Sequence, residues 1–291
     1  MWTIAKLAYK ELLYKRIFLI AILMSVAYLL LYGVATLFAA DQASQDFASS
    51  HRDFASINLE YLFLSTQLLG AGLYLASFIT VLLSILGSIG SISSEIESHH
   101  IDTILARPIH RHSIVLGKYI GLAGILAAYA LFLFAGIIGI NAFLGGKYLS
   151  VDLTAEQILL AGFLFMLQPL IVVAVSLFFS SRMTTINGGI IVIILYGISF
   201  IGGFIEQFGA LFENQSLINI GIITSLLFPL DSLFRKMTLS LFEASDDPLS
   251  FASQGIFASA STPSDLMVGY ALIYGCCALL AAIRFFGRRD L

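Results

Sequence analysis

The clearest deficit of the sequence is charge. Only 11% of its 291 residues are charged, whereas 59% are hydrophobic. A soluble domain carries about 25% charged residues and roughly 45–50% apolar ones, so this chain has too few charges to cover a water-facing surface. The composition therefore excludes a soluble protein and predicts an integral membrane protein. The sequence also lacks the dense basic cluster that nucleic-acid binding requires, and we expect no nucleic-acid partner.

Short catalytic motifs are missing as well. No G-x-x-x-x-G-K-[ST] loop is present, because Gly117-Lys118 is followed by Tyr119 and lacks an upstream glycine at the required spacing. Without a phosphate-binding loop, we expect the chain to hydrolyse no nucleotide and to be no enzyme. The two cysteines, Cys276 and Cys277, are adjacent in an apolar run and predict neither a disulfide framework nor a metal site.

Four of the five histidines lie in one segment, at His99, His100, His110 and His112. A metal site is one interpretation of this cluster, but no nearby cysteine completes a ligand set. We therefore expect solvated histidines, and no metal or cofactor in this chain.

Long uncharged runs are what the sequence has in abundance. A helix needs about 20 apolar residues to cross the hydrocarbon core. Six runs meet or approach this length, namely Ile17–Phe38, Leu68–Ile92, Tyr119–Leu144, Ile158–Ser181, Met183–Ile205 and Leu266–Ile283. A seventh, Ser216–Leu230, is short for a span and suits a re-entrant or interfacial segment. The fold class is therefore an all-α polytopic membrane protein with six transmembrane helices.

The orientation follows from the lysines and arginines, which are enriched in cytoplasmic segments of membrane proteins. With both termini in the cytoplasm, the external segments are 39–67, 145–157 and 206–265, and the long cytoplasmic segment is 93–118. This arrangement leaves only four of the 15 basic residues outside, namely Arg52, Lys147, Arg235 and Lys236. The split supports six spans with both ends inside.

Residues 1–16 precede the first span and predict an amphipathic helix at the membrane surface. Lys6 and Lys10 are four residues apart on one side, and Glu11 and Lys15 form a second pair at this spacing. Trp2 suits the headgroup level. A basic tail that only fixes orientation is the alternative. Residues 17–291 then form the transmembrane domain.

Ionisable residues are almost absent from the predicted spans, and only Glu206, at the outer end of the fifth, comes close. Carriers driven by protons or sodium usually keep such a residue within a span. This scarcity argues against ion-driven transport.

Polar residues within the spans form two stripes at helical spacing. The second span carries Ser77, Thr80, Ser84, Ser88 and Ser91, and the fifth carries Tyr196, Ser199 and Glu206. Hydroxyls that bond across packed helices would produce this pattern, and so would the lining of a translocation path. The sequence leaves both interpretations open, and we name these residues as candidates for the path. A third stripe, of Gly117, Gly121, Gly124 and Ala128, predicts close helix packing.

The cytoplasmic segment 93–118 is rich in both charges and long for a turn. Ile101, Ile104 and Leu105 fall at helical spacing, and Pro108 ends the helix because it disfavours the helical conformation of its predecessor. A short amphipathic helix of this kind suits docking into a groove of a partner. A solvated charged loop is the alternative.

These residues resemble the permease subunit of type-2 ABC transporters. The likeness spans nearly the whole chain and is carried by Glu95-Ile-Glu97, Ile101-Asp102, Leu105, Arg107-Pro108, Arg111, Gly117-Lys118, Phe228-Pro229 to Phe234-Arg235, and the ending Phe285 to Leu291. In that family an acidic pair opens a cytoplasmic coupling helix, an [RK]-P-[IV]-x-R turn follows, and the N-terminal helix is an elbow helix.

The resemblance implies a division of labour. Two permeases, two identical copies or two different chains, form the pore in the plasma (inner) membrane, and two separate ATPase subunits hold the ATP and Mg. The coupling helix then implies an ATPase contact through Glu95, Glu97, His99, His100, Asp102, Arg107 and Arg111. Two other classes stay open: a secondary transporter, and a membrane anchor or sensor that transports nothing.

Overall fold

The computed structural model describes residues 1–49, 54–98, 110–149, 151, 153–242 and 263–288. Within these ranges the chain forms helices and no strands. The helices are α1 (Trp2–Tyr14), α2 (Arg16–Ser49), α3 (Phe54–Ser88), α4 (Gly90–Glu97), α5 (Arg111–Leu144), α6 (Gly146–Leu149), α7 (Ala155–Ser180), α8 (Thr185–Leu211), α9 (Gln215–Leu227), α10 (Leu230–Phe242) and α11 (Asp265–Arg288).

Six of the described helical stretches are long and apolar enough to cross a membrane, which confirms the predicted number of spans. They are Arg16–Asp46, Phe63–Glu97, Arg111–Leu144, Ala155–Ser180, Thr185–Leu211 and Asp265–Arg288. The short apolar segment Ser216–Leu230 forms α9, and α10 follows it in a bent pair whose axes differ by 106°. The fold is the all-α polytopic membrane protein that the sequence predicted.

Helix α7 is the centre of the bundle. It packs against α3, α5, α8, α10 and α11, and 67% of its most apolar window is buried inside the chain, against 17% for α11 and 22% for α2. A capping box starts it: Thr154 and Gln157 exchange hydrogen bonds between side chain and backbone. The sides of α2 and α11 that the bundle leaves exposed are apolar, as lipid or a second subunit requires.

The N-terminal helix α1 ends at Tyr14, and the extended backbone of Lys15 separates it from α2. Its small residues Ala5 and Ala8 are buried against the glycine stripe of α5. A Cβ atom at Gly121 would lie 2.3 Å from the backbone oxygen of Ala5, and one at Gly117 would lie 2.9 Å from the Ile4 side chain. Gly117 and Gly121 of the stripe therefore pack against α1, and the absence of side chains lets the two backbones approach.

Replacing Gly121 by Ala should consequently push α1 away from α5. The obstructing atom belongs to the backbone of another helix and cannot rotate aside, so we expect a destabilisation of about 1–3 kcal/mol, typical of overpacking. Gly124→Ala is the matched control, because its Cβ would have no neighbour within 4 Å. Thermal unfolding in detergent should show a lower midpoint for the first variant alone, and equal midpoints would contradict this packing.

Candidate functional site

A buried ionic cluster joins α8 to α10. The Arg235 guanidinium donates through Nη1 to Glu206 Oε1 at 2.9 Å and through Nη2 to Glu206 Oε2 at 2.7 Å. Its Nε donates to Asp231 Oδ2 at 2.9 Å. Arg235 is 2% exposed and Glu206 is 4% exposed. A paired fork of this geometry is the strongest form of side-chain ion pair, and here one cation meets two carboxylates.

Close backbone approaches make room for the cluster. A Cβ at Gly203 would overlap the Asp231 carboxylate, and one at Gly221 of α9 would lie 2.2 Å from Glu206 Cβ. Helix α9 begins where Asn214 accepts hydrogen bonds from the amides of Ser216 and Leu217. The glycines therefore allow the bent pair to press against α8.

The bend of the pair reaches deep into the bundle. Ser199, near the middle of α8, donates to the Phe228 carbonyl at 2.6 Å and accepts from the Asp231 amide at 3.3 Å. The Asp231 amide lies in the first turn of α10, where backbone donors lack a helical partner, and Ser199 supplies one. The Phe228 carbonyl also accepts from the Leu230 amide at 2.9 Å. Contact with the middle of α8 favours the re-entrant interpretation of this segment over the interfacial one.

A small cavity of about 20 Å³, with both polar and apolar lining, lies beside the bend. Ser77 and Tyr196, one residue from each predicted stripe, line it together with Tyr74, Gln168 and Asp231. The volume suffices for one water molecule. Gln168 accepts from Ser77 Oγ at 2.5 Å, while its buried Nε2 has no hydrogen-bond partner in the described part of the chain. The cavity thus offers polar groups at the middle of α7 and beside the bent pair.

The rest of the serine stripe behaves differently. Thr80, Ser84 and Ser88 are buried, and each donates to the carbonyl four residues earlier in its own helix. Ser91 is also buried. The hydroxyls of Thr80, Ser84 and Ser88 are thus satisfied within their own helix, as helical serines often are, whereas the buried Ser91 Oγ has no hydrogen-bond partner among the described residues. In this conformation their surroundings are those of helix packing, and their place on a path stays a prediction.

A second ionic contact closes the base of the cytoplasmic segment. Lys118 Nζ in α5 lies 2.6 Å from Glu95 Oε2 in α4, in an ion pair, and donates a hydrogen bond to the Ser91 carbonyl. The Lys118 side chain is 4% exposed and that of Glu95 is 18% exposed. The two ends of segment 93–118 are therefore fastened together. We call this contact the base clamp.

Helix α4 also contacts the start of α8 and the end of α7. Glu97 Oε1 accepts from the Thr185 amide at 2.9 Å and so caps the N-terminus of α8, where a carboxylate is favourable. Ser180 Oγ, at the end of α7, accepts from the amides of Ile92 and Ser93 at 3.1 and 2.9 Å. Helix α4 is consequently anchored to α5, α7 and α8 at once.

The residues predicted to contact an ATPase are only partly described. Glu95 and Glu97 pair within the chain, as above, and Arg111 Nη1 donates to the Gly287 carbonyl near the end of α11 at 3.4 Å. His99, His100, Asp102 and Arg107 lie outside the described residues, as does the predicted helix around Ile101. The ATPase contact stays a prediction.

Four residues of these sites were not identified from the sequence: Asp231, Arg235, Lys118 and Gln168. Asp231 and Arg235 were assigned to the external segment 206–265, and almost no ionisable residue was expected among the spans. In the structure both are buried beside Glu206, and the external position of the segment stays a prediction. Their spacing of four residues, within a segment already noted for Pro229 and Phe234, was the available signal.

No metal centre accompanies these sites: in the ranges that the structure describes, no three His, Cys, Asp or Glu residues approach closely enough to hold an ion.

A search of curated proteins finds no match to the sequence. A family model described as ABC-2 family transporter protein matches residues 2–291. This match covers nearly the entire chain and agrees with the six spans. The chain belongs to the ABC-2 transporter family, as a permease domain of the membrane.

Proposed function

We propose that this chain is the transmembrane permease subunit of an ATP-driven exporter and couples to a separate cytoplasmic ATPase. It would reside in the plasma (inner) membrane with both termini in the cytoplasm. Family membership supports a membrane transport component, and the positive-inside charge distribution supports the orientation. The remaining steps rest on the base clamp.

The base clamp is the observation that carries the coupling proposal. A partner that pushes on the segment between residues 98 and 110 would act on a structure fastened at both ends. The Lys118–Glu95 pair passes a displacement to α5, and the cap from Glu97 to Thr185 passes it to α8. A loosely tethered loop would absorb the same push. Closure of an ATPase dimer on nucleotide would then move three spans together.

The far end of the mechanism is the bent pair. Helix α8 holds it through the Glu206–Arg235 fork and through Ser199. We propose that moving α8 shifts α9 and α10 and opens a path where Ser77 and Tyr196 meet. The cavity there supports this location, because it combines one residue of each predicted stripe with the unpaired Nε2 group of Gln168.

The assembly is proposed to contain two permeases and two ATPases. A chain with six spans supplies half of such a pore, and a two-fold pair of identical subunits is the simplest arrangement. A second, different permease is the alternative. Lipid surrounds the pair, and neither ATP nor Mg is expected to bind this chain.

Copurification and energy source test the proposal together. The tagged chain, purified from its native membranes, should retain a cytoplasmic ATPase in detergent. The complex reconstituted in proteoliposomes should hydrolyse ATP. A complex whose ATPase carries a substitution of its catalytic Glu should copurify equally well but should no longer hydrolyse ATP. Failure of any ATPase to copurify would contradict the proposal and favour the anchor or sensor.

The buried ionic cluster favours one rival, an ion-coupled secondary transporter. Ionisable residues among spans often mark coupling sites, and two carboxylates share one guanidinium here. The same proteoliposomes separate the two functions. Transport that follows a proton or sodium gradient without ATP would establish the carrier, whereas transport that needs ATP and ignores the gradients would exclude it.

A further inference from the structure

A groove of about 530 Å³ separates α1 from α5 beside their contact. Its floor is apolar and is formed by Ala5 of α1 and by Ile120, Gly121 and Gly124 of α5. A Cβ at Gly124 would meet nothing within 4 Å, so this residue leaves open space along the helix. The volume lies within the range of about 300–1,000 Å³ that small-molecule sites occupy.

Two cations and two aromatic residues form the rim. Lys6 and Lys10 stand one helical turn apart on α1, both exposed, and neither ammonium has an acidic partner within the described ranges. Trp2 is 77% exposed and Tyr9 is 43% exposed. An apolar floor under a positive, aromatic rim requires an amphiphile with a negative head.

We propose that this groove binds an anionic phospholipid of the surrounding leaflet. The acyl chain would lie over Ile120 and Gly124, and the phosphate would meet Lys6 and Lys10. Basic pockets between helices at the membrane surface suit such headgroups, and Trp and Tyr favour the same level. The charge decides between occupants, because a zwitterionic lipid offsets its phosphate with its own cation and an apolar face of a second subunit brings no negative charge, whereas an anionic lipid leaves a net negative charge for the two lysines. The bound lipid would hold α1 on α5 beside the base clamp.

The inference does not depend on transport. It requires only that α1 lies at the membrane surface, so it can fail or succeed independently of the proposed function. The attraction of one basic side chain to an anionic surface corresponds to roughly a fivefold change in affinity. Removing both lysines should then weaken binding roughly 25-fold.

The single tryptophan of the chain supplies the probe, because Trp2 lies at the groove itself. The purified protein is placed in phosphatidylcholine nanodiscs with increasing fractions of phosphatidylglycerol, brominated near the headgroup end of its acyl chains. Quenching of Trp2 fluorescence then reports occupancy. We expect half-maximal quenching at a far lower fraction of brominated phosphatidylglycerol than of brominated phosphatidylcholine.

Matched variants assign the effect to the groove. Lys6→Gln with Lys10→Gln should remove the preference for phosphatidylglycerol, whereas Lys15→Gln, a lysine of the same segment that pairs with Glu11, should keep it. Gly124→Leu fills the floor and should reduce quenching by the anionic lipid. Circular dichroism and gel filtration confirm that each variant is folded.

Three outcomes would overturn the proposal. Equal quenching by both brominated lipids would show that the groove does not select charge. An unchanged preference in the double lysine variant would place the lipid elsewhere. In the third outcome, neither brominated lipid quenches Trp2, and the Gly124→Cys variant forms a disulfide between two subunits. That combination would show that a second copy of the chain covers the groove.

Discussion

Replacing Arg235 by Met should destabilise the protein by about 3–5 kcal/mol, the range found when one partner of a buried ion pair is removed. The arginine is almost fully buried and is shared by Glu206 and Asp231. Methionine fills much of the same space but leaves two carboxylates without a cation. We expect a markedly lower midpoint of thermal unfolding in detergent and little protein in the membrane fraction.

The neighbouring lysine provides the control. Lys236 pairs with Asp265, whose side chain is 92% exposed, so water can replace the lost partner. Lys236→Met should therefore unfold close to the midpoint of the unmodified protein. Arg235→Lys should fall between the two, because a lysine keeps the charge but cannot form the two-pronged contact with Glu206.

A variant of the ionic cluster without charges shows why Arg235→Met loses stability. The triple variant Arg235→Met, Glu206→Gln and Asp231→Asn removes all three charges and should recover much of the lost midpoint, since unpaired buried charge is the main penalty. If the triple variant were as unstable as Arg235→Met, the loss would come from packing. If Arg235→Met matched Lys236→Met, the cluster would contribute nothing to stability.

Hydropathy was sufficient to predict the spans but not the helices. The predicted run Ile17–Phe38 lies inside α2, which continues to Ser49, and Leu68–Ile92 lies inside helices that run from Phe54 to Glu97. Apolar residues report only the part that lipid surrounds. Polar residues beyond it continue the helix by backbone hydrogen bonding, which leaves no periodic apolar signal to detect.

The polar stripes show where periodicity stops being informative. Spacing placed Ser77 and Ser88 on one face, and the structure buries both. Ser77 reaches Gln168 across helices, whereas Ser88 bonds to its own helix. The difference depends on which helix lies opposite, and that is a property of the tertiary packing.

Arg235 illustrates the opposite failure. Arg235 was assigned to the external segment 206–265 from the distribution of basic residues between the two sides of the membrane, and a charge in such a segment is usually solvated. Its burial is stabilised by three features together: the bent pair of helices, the glycine contacts and an acidic residue on α8. No local sequence pattern contains all three.

The second large effect concerns Glu95, for which sequence and structure suggest different roles. The sequence placed Glu95 and Glu97 on a surface that docks to an ATPase. In the structure Glu95 pairs with the buried Lys118. Glu95→Ala should then leave the buried Lys118 ammonium without its carboxylate partner and destabilise the protein by about 3–5 kcal/mol. Lys118→Met should cost less, because the partly exposed Glu95 carboxylate can turn towards water.

A double-mutant cycle separates the two roles. If Glu95 acts through the base clamp, adding Lys118→Met to Glu95→Ala removes the stranded ammonium and should restore both the unfolding midpoint and ATPase retention. If Glu95 touches the ATPase, the double variant should regain stability while retention stays low. Glu97→Ala, which removes only an exposed cap of α8, serves as the mild reference at about 1 kcal/mol or less.

The same double variant tests coupling. If it retains the ATPase but no longer links ATP hydrolysis to export, the Lys118–Glu95 pair transmits the movement. If it exports normally, the cap from Glu97 and the serine contacts suffice, and the base clamp is a stabilising contact alone.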